Sequence, residues 1–410
     1  DLGNGVQRLV HALAGLFAVP LGTDIGTRAA LVLVMWAGAV GMSRAARTLG
    51  VSTPRSVLLA LAFIWSPYAI TDWLVRGSFA EFTSMMLVPW LLDAALRQLR
   101  GKPVWLPLGL SLAAILHAHQ SVGLFLAAIP VVSTILASLM ARGHRRAVLV
   151  DAIKAAALAA ALTLPWLIAV ARIGPAFRLD TLKLYLPWAQ YVAWPRYIAD
   201  DGFAWGATFA GFSVELSRWL FVALVVSLPL ALLSGARVSA RRELLFLSVP
   251  LLAGTVLQFD VATPLYKTIP KAELLQFPWR LVAPLLAVVL LIGGVTFEAI
   301  ARRGPLLAVA MTAGLLLICT AHFSVVRKSH DIKYRRYTAG EWASTFEQLD
   351  GPHSAGEFLP RETARAPARS PWVDPGNCSV RNVTPAAPAH FTRVEIDLDD
   401  GDGCNFTFSQ

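Results

Sequence analysis

This chain contains unusually few charged residues. Only 15% of its 410 residues are Asp, Glu, Lys or Arg, and 56% are hydrophobic. In an average soluble protein the charged residues alone make up about 25%. Cysteine is also scarce, and the three cysteines allow at most one disulfide bond within the chain. The shortage of charge excludes a chain built of ordinary soluble domains, so its length cannot be converted into a count of them.

Apolar runs fill the chain between Ala29 and Phe323. A bilayer core of about 30 Å needs roughly 20 helical residues to cross it, and only a helix satisfies its own backbone hydrogen bonds there. The segment from Trp279 to Ile300 meets that requirement, with only Arg280 and Glu298 near its ends. Segments of this kind predict about ten membrane spans, within a few residues of their true limits: 26–43, 55–71, 84–98, 104–118, 121–140, 148–171, 217–234, 243–259, 279–300 and 305–323.

Basic residues are concentrated in every second gap between these predicted spans. Two spans separate each basic gap from the next, which is the alternation that the positive-inside rule requires. We therefore expect these gaps to be cytoplasmic and the connections at 72–83, 117–120, 172–216 and 260–278 to lie outside. The basic gaps contain Arg44, Arg47 and Arg55; Arg97, Arg100 and Lys102; Arg142, Arg145 and Arg146; Arg237, Arg241 and Arg242; and Arg302 and Arg303.

The net charge of +10 does not by itself indicate a nucleic-acid partner. Much of the basic excess lies in the cytoplasmic gaps, where it sets orientation and meets anionic lipid. We expect membrane lipids as partners and no nucleic acid. The predicted location is the inner (cytoplasmic) membrane of a bacterium, with a multi-pass topology.

The first residues contain an apolar stretch, Leu9 to Leu21, that is too short to span and is interrupted by Gly15 and Pro20. We interpret it as an interfacial or re-entrant helix on the outer face. The first full span must then run from outside to inside, so a helix that should precede it is missing. The sequence is therefore expected to be truncated at its N-terminus.

The composition changes after Phe323, where the run of apolar segments ends. Residues 392–398 alternate between apolar and polar, which is typical of a half-buried strand. We predict a transmembrane domain at 1–323 and a small extracytoplasmic β-rich module at 324–410, which ends abruptly at Gln410. Cys378 and Cys404 both fall in this module. An oxidising compartment would allow them to pair, although two separate thiols are the alternative.

Three polar clusters fall on the predicted outer face, and the first is the segment from Thr71 to Glu81. Asp72 and Arg76 are four residues apart and would share one face of a helix. Such a pair can hold a phosphate and a sugar hydroxyl, since arginine binds phosphate through two hydrogen bonds. The alternative is a structural ion pair, which contributes under about 1 kcal/mol if exposed. Glu81 indicates a functional site more strongly, because an ionisable group just before an apolar span costs free energy and is retained mainly where it has a function.

The second cluster is the short connection His117-Ala118-His119-Gln120. Two histidines without a nearby Asp, Glu or Cys are too few ligands for a metal site. A polar turn that caps two helices explains this sequence. A hydrogen bond from His119 or Gln120 to a substrate is the alternative.

The third cluster lies between Asp260 and Arg280. Lys267, Lys271 and Arg280 place three cations on an outer loop, where the positive-inside rule predicts few. An anionic partner, in particular a phosphate, would explain them, and Gln276 of the same loop joins the predicted substrate contacts. The alternative is that Arg280 reaches to lipid headgroups from the membrane edge.

Several of these motifs resemble those of one family. The string WLVRGSFAEF after SPYAITD, together with LLQFPWR and the later GEFLP, resembles the bacterial 6-pyruvoyl-tetrahydropterin synthase-related integral membrane proteins. That group is similar in turn to the GT-C class of polyprenyl-phosphate-sugar-dependent glycosyltransferases. The resemblance covers most of the chain and implies no pterin chemistry. It implies a GT-C-like helix bundle that transfers a sugar from a polyprenyl-phosphate carrier to a cell-envelope acceptor on the outer face.

The resemblance also implies roles for individual residues. Arg76 and Arg280 would bind the donor phosphate, and Glu81 would contact a hydroxyl or a divalent metal. The catalytic base of such enzymes lies in the first outer loop, which would precede Asp1, and within this sequence Glu81 and Asp72 are the candidates. The alternatives are a non-catalytic membrane assembly or scaffold protein and a lipid-linked-sugar flippase or transporter. A transporter should show internal repeats, and we find none.

Overall fold

The computed structural model describes residues 8–70, 72–73, 78–140, 145–173, 238–257, 259–268, 278–302 and 304, a few isolated positions, and four short C-terminal strands. The chain divides into two compact units, one made of residues 1–172 with 186–332 and the other of residues 173–185 with 333–410. The helical bundle belongs to the first unit and the strands to the second. The predicted boundary between residues 323 and 324 lies outside the described residues and stays a prediction.

The described part of the first unit is helical. Its helices are α1 (Arg8–Leu21), α2 (Thr23–Thr48), α3 (Thr53–Ile64), α4 (Pro67–Ile70), α5 (Phe79–Leu99), α6 (Trp105–Ala118), α7 (Gln120–Leu126), α8 (Ala128–Met140), α9 (Arg145–Ile173), α10 (Val238–Val256), α11 (Thr263–Thr268) and α12 (Val282–Ala301). Short 3₁₀ segments at Asp260–Ala262 and Pro278–Leu281 precede α11 and α12.

Five helical segments in the described residues are long and apolar enough to cross a membrane. They are α2, α5, the combined α7 and α8, residues Arg145–Ala169 of α9, and α12, while α3 and α6 are apolar but shorter. The prediction of a helical membrane protein is thus confirmed. The predicted spans at 217–234 and 305–323 lie outside the residues that the structure describes.

The predicted single span at 55–71 is wrong in one respect, because the chain forms two helices there. The helix α3 ends at Ile64 and α4 begins at Pro67. Proline has no N–H to donate and disfavours a helical conformation in the residue before it, so it tends to begin a helix rather than continue one. This break leaves Trp65 and Ser66 in a turn between the two helices.

The stretch from Leu9 to Leu21 forms a helix, as predicted, with Pro20 inside its last turn. Gly22 follows it with φ 78°, a left-handed conformation that favours glycine. At Gly26, in the first turn of α2, an added Cβ would lie 2.5 Å from the backbone nitrogen of Ala18 in α1. Glycine therefore allows α1 and α2 to pack closely, and the interfacial or re-entrant position of α1 stays a prediction.

The helix α5 forms the centre of the bundle. In its apolar 18-residue stretch 83% of the residues are buried, against 22% in the corresponding stretch of α9. On one side it packs against α2, where the indole Nε1 of Trp90 donates a hydrogen bond of 2.8 Å to the carbonyl oxygen of Ala37. Peripheral helices instead expose large apolar side chains, among them Trp36 and Ile153. Extensive exposed apolar surface marks a membrane-facing region.

The second unit contains the strands β1 (Val373–Asp374), β2 (Val380–Pro385), β3 (Val394–Leu398) and β4 (Thr407–Phe408). The strands β1 and β4 pair antiparallel, as do β2 and β3. These two short ladders do not establish a β-rich module, which stays a prediction. Cys378 and Cys404 lie outside the described residues.

Candidate functional site

Ion pairs and polar contacts connect the helix termini at one end of the bundle, which we call the basic end. Helix ends that are distant in sequence meet there. In each of the four contacts below, an Asp or Glu side chain of one helix accepts a hydrogen bond from, or pairs with, a group near the end of another helix. The contacts are Thr48 Oγ1 to Asp93 Oδ1 at 2.6 Å, Arg55 Nη1 to Glu298 Oε2 at 2.7 Å, Arg100 Nε to Glu243 Oε1 at 2.7 Å and the Val104 amide to Asp151 Oδ2 at 2.7 Å. The arginine-rich gaps of the sequence are thus brought together at one end.

Glu81 lies at the other end of the bundle, in the first turn of α5. Its side chain is completely buried. The Tyr68 hydroxyl donates a hydrogen bond to its Oε1 atom, and the Ser78 hydroxyl lies 3.5 Å from Oε2. Arg280 Nε lies 3.4 Å from the same Oε2 atom. The first turn of a helix favours a negative charge, and here a cation and two hydroxyls add to that effect.

Local sequence explains how Tyr68 and Glu81 come together. Pro67 begins the short helix α4, and the Ser66 hydroxyl accepts a hydrogen bond of 3.3 Å from the Ala69 amide. The Ser78 amide then donates to the carbonyl oxygen of Asp72 at 2.9 Å. These turns bring the chain back to the start of α5, so that Tyr68 faces Glu81.

Arg280 lies in the second half of the chain, in the 3₁₀ segment just before α12. Its side chain is 11% exposed. A buried carboxylate or guanidinium carries a desolvation penalty of several kcal/mol, which only good pairing offsets. Glu81 and Arg280 each give the other an opposite charge, through the ion-pair contact of 3.4 Å between Nε and Oε2. A guanidinium has five N–H donors in a rigid fork, and the Glu81 carboxylate lies beside one of them, the Nε atom.

The remaining predicted residues of the first and third clusters have different positions. Asp72 is completely buried. Lys267 is exposed on α11. Next to it, burial raises the pKa of the Tyr266 hydroxyl well above its usual value near 10, so that it stays protonated and donates to the carbonyl oxygen of Leu257 at 2.5 Å. Arg76, Lys271 and Gln276 lie outside the described residues, and their roles stay predictions.

The second cluster connects α6 and α7. His119 is buried, and its Nδ1 atom lies 3.1 Å from the Ser121 hydroxyl. Its carbonyl oxygen accepts a hydrogen bond from the Gly123 amide at 2.8 Å, in the first turn of α7. His117 Nε2 lies 3.1 Å from the carbonyl oxygen of Leu162 in α9. These contacts are the ones expected of a polar turn between two helices, and substrate binding by His119 stays a prediction.

Tyr68 is the residue that sequence reasoning missed. The Ser-Pro-Tyr string served there only as part of a family resemblance. The available signal was a hydroxyl in a proline-initiated turn, 13 residues before a glutamate at the edge of a span. A hydroxyl near a buried carboxylate is a natural partner, because buried charges require hydrogen bonds.

In the part of the chain that the structure describes, no group of three His, Cys, Asp or Glu side chains could hold a metal ion. No family model, curated protein or solved structure matches the chain. The resemblance drawn from the sequence motifs therefore stays a prediction. The helices and their contacts define an α-helical membrane protein with a buried Tyr68–Glu81–Arg280 cluster at the end of the bundle opposite the basic end.

Proposed function

We propose that this protein is a membrane glycosyltransferase that moves a sugar from a polyprenyl-phosphate carrier to a cell-envelope acceptor. The contact between Glu81 and Arg280 carries the proposal, since it places a largely buried guanidinium next to a buried carboxylate. In this proposal the basic end is cytoplasmic, the site faces the outer side of a bacterial inner membrane, and residues 324–410 form an extracytoplasmic β-rich module.

Sugar transfer from a lipid phosphate leaves a phosphate on which negative charge develops. A fixed cation in a site of low dielectric stabilises that charge more than a cation in water does. Arg280 has this character, because it is largely buried and its Nε atom lies 3.4 Å from the Glu81 carboxylate. The planar guanidinium also matches the geometry of a phosphate, which a lysine does not.

Transfer also requires a base that removes the proton of the acceptor hydroxyl. Both carboxylate oxygens of Glu81 are already engaged, Oε1 by Tyr68 and Oε2 by Arg280. Glu81 is therefore better placed to orient Arg280 than to take a proton. Asp72 remains a candidate base within the chain, and a divalent metal bound with the donor would share the stabilisation of the phosphate.

The test is transfer by the full-length protein in lipid nanodiscs, with a polyprenyl-phosphate-linked sugar as donor. We expect Arg280→Ala to abolish turnover and Arg280→Lys to reduce it strongly, because lysine keeps the charge but loses the fork. The matched control is Arg55→Ala, which removes the ion pair between Arg55 and Glu298 at the other end of α12. Rates are compared for equal amounts of folded protein.

Three results would overturn the proposal. Full transfer by Arg280→Ala would show that the ion pair only ties helices together, as in a scaffold protein. Equal losses in Arg280→Ala and Arg55→Ala would show that the effect of Arg280 is not specific to the proposed site. Movement of the intact lipid-linked sugar across the bilayer without transfer would favour a flippase.

A further inference from the structure

The charges at the basic end are unevenly paired around Asp93. Its Oδ2 atom lies 3.5 Å from Arg44 Nη2 and 4.0 Å from Arg97 Nη1, while Thr48 donates to Oδ1. The Asp93 side chain is 5% exposed, and those of Arg44 and Arg97 are 48% and 35% exposed. Two guanidiniums thus share one carboxylate. Among the described residues, these contacts leave one positive charge in excess, on two partly exposed arginines.

The surrounding side chains hold Arg44 in place. Its guanidinium lies over the ring of Trp90, 5.2 Å from the centroid, a distance at which a cation is attracted to the ring face. Trp90 is fixed in turn by its hydrogen bond to Ala37 and by its contact with Gly41, where a Cβ would lie 2.6 Å from the ring. The cation is therefore oriented before any ligand arrives.

An apolar stripe leads from Arg44 along α2. At 100° per residue, Leu33, Trp36, Val40 and Arg44 lie within an arc of about 80° on the helix. Leu33 and Trp36 are exposed, and Val40 is half-buried. The helix α2 is one of the five segments able to cross a membrane. The stripe therefore runs from a cation at the helix end towards the middle of a spanning segment.

We propose that Arg44 and Arg97, held by Asp93 and Trp90, bind the phosphate headgroup of an anionic phospholipid whose acyl chain lies along Leu33, Trp36 and Val40. The phosphate neutralises the excess positive charge, and anionic headgroups are attracted to basic residues at a membrane surface. The apolar stripe selects a lipid over a soluble phosphate. This inference does not depend on the proposed glycosyltransferase activity.

A second carboxylate at the basic end provides the control. Glu298 is also contacted by two arginines, Arg55 at 2.7 Å and Arg302 at 3.3 Å, and the Arg302 side chain is 57% exposed. None of the large apolar side chains of α12, a helix that the structure describes throughout, is exposed. Arg302→Gln therefore removes a charge of the same kind at the same end, next to a helix that exposes no large apolar side chain.

The experiment measures binding of phosphatidylglycerol, with phosphatidylcholine for comparison, to the full-length protein by native mass spectrometry. We expect Arg44→Gln to weaken phosphatidylglycerol binding roughly fivefold and Arg302→Gln to leave it unchanged. Asp93 retains Arg97 and Thr48 in the Arg44 variant. Trp36→Ala, a change of an exposed side chain, should weaken binding of the long-chain lipid and leave that of a short-chain analogue unchanged.

Three outcomes would overturn the inference. The first is wild-type binding by Arg44→Gln, and the second is an equal loss in Arg302→Gln. The third is complete displacement of the lipid by millimolar inorganic phosphate together with no effect of Trp36→Ala, which would identify a site for a free anion.

Discussion

Arg280 Nε lies 3.4 Å from Glu81 Oε2, although the two residues come from motifs in opposite halves of the chain. One motif follows α4 and the other precedes α12. Their contact brings together the first and third polar clusters of the sequence. Anchoring of Arg280 to lipid headgroups, the alternative drawn from sequence, does not require a buried carboxylate as its partner.

The Glu81–Arg280 pair should make a measurable contribution to stability. Removing one partner of a buried ion pair leaves the other charge uncompensated and costs about 3–5 kcal/mol. We expect Glu81→Leu and Arg280→Met each to lower the free energy of unfolding by about that amount, and the double variant to recover much of it. Reversible unfolding in detergent, analysed as a double-mutant cycle, measures the coupling. Additive effects of the two single changes would show that the pair is not coupled.

The contact between α2 and α5 predicts a second effect on stability. In Gly41→Ala the new methyl group would lie 2.6 Å from the Trp90 ring, and overpacking of this kind costs about 1–3 kcal/mol. Gly293→Ala in α12 is the control, because nothing lies within 4 Å of the added Cβ there. Alanine should stabilise that helix slightly. Thermal unfolding of the two variants measures the difference, and equal melting temperatures would contradict this packing.

Much of the helical bundle was predictable, because apolar runs and alternating arginines follow directly from the bilayer. The break at Trp65–Ser66 was missed, since a hydropathy window averages over the single proline that causes it. The cost of a charge at membrane depth indicates Glu81, and the positive-inside rule indicates Arg280, as one of three cations on a predicted outer loop. Their contact, and the part of Tyr68 in it, depends on packing between distant segments, which periodicity does not encode.

The grouping of the basic helix ends predicts a labelling pattern. On a background without native cysteines, Lys102→Cys at the basic end should be protected from an impermeant maleimide in intact cells. Val261→Cys, at a position that is 70% exposed before α11, should be labelled. Permeabilised cells provide the control, since both positions should then react. Labelling of Lys102→Cys in intact cells would reverse the proposed orientation.

A disulfide between Cys378 and Cys404 stays a prediction from the sequence. We expect peptide mapping of the protein from an oxidising compartment, without reduction, to recover the two cysteines as one linked fragment. Cys319 provides the internal comparison, because it should be recovered as a free thiol. Alkylation of all three cysteines without prior reduction would show that the bond is absent.

The central claim is that Arg280, held by Glu81, binds the phosphate of a polyprenyl carrier. The most direct measurement is a cryo-electron microscopy structure of the full-length protein in lipid nanodiscs with polyprenyl phosphate. We expect density for the phosphate within hydrogen-bond distance, about 3 Å, of the Arg280 guanidinium, with the Glu81 contact kept. A phosphate bound elsewhere on the bundle, with Arg280 contacting only protein groups, would contradict the claim.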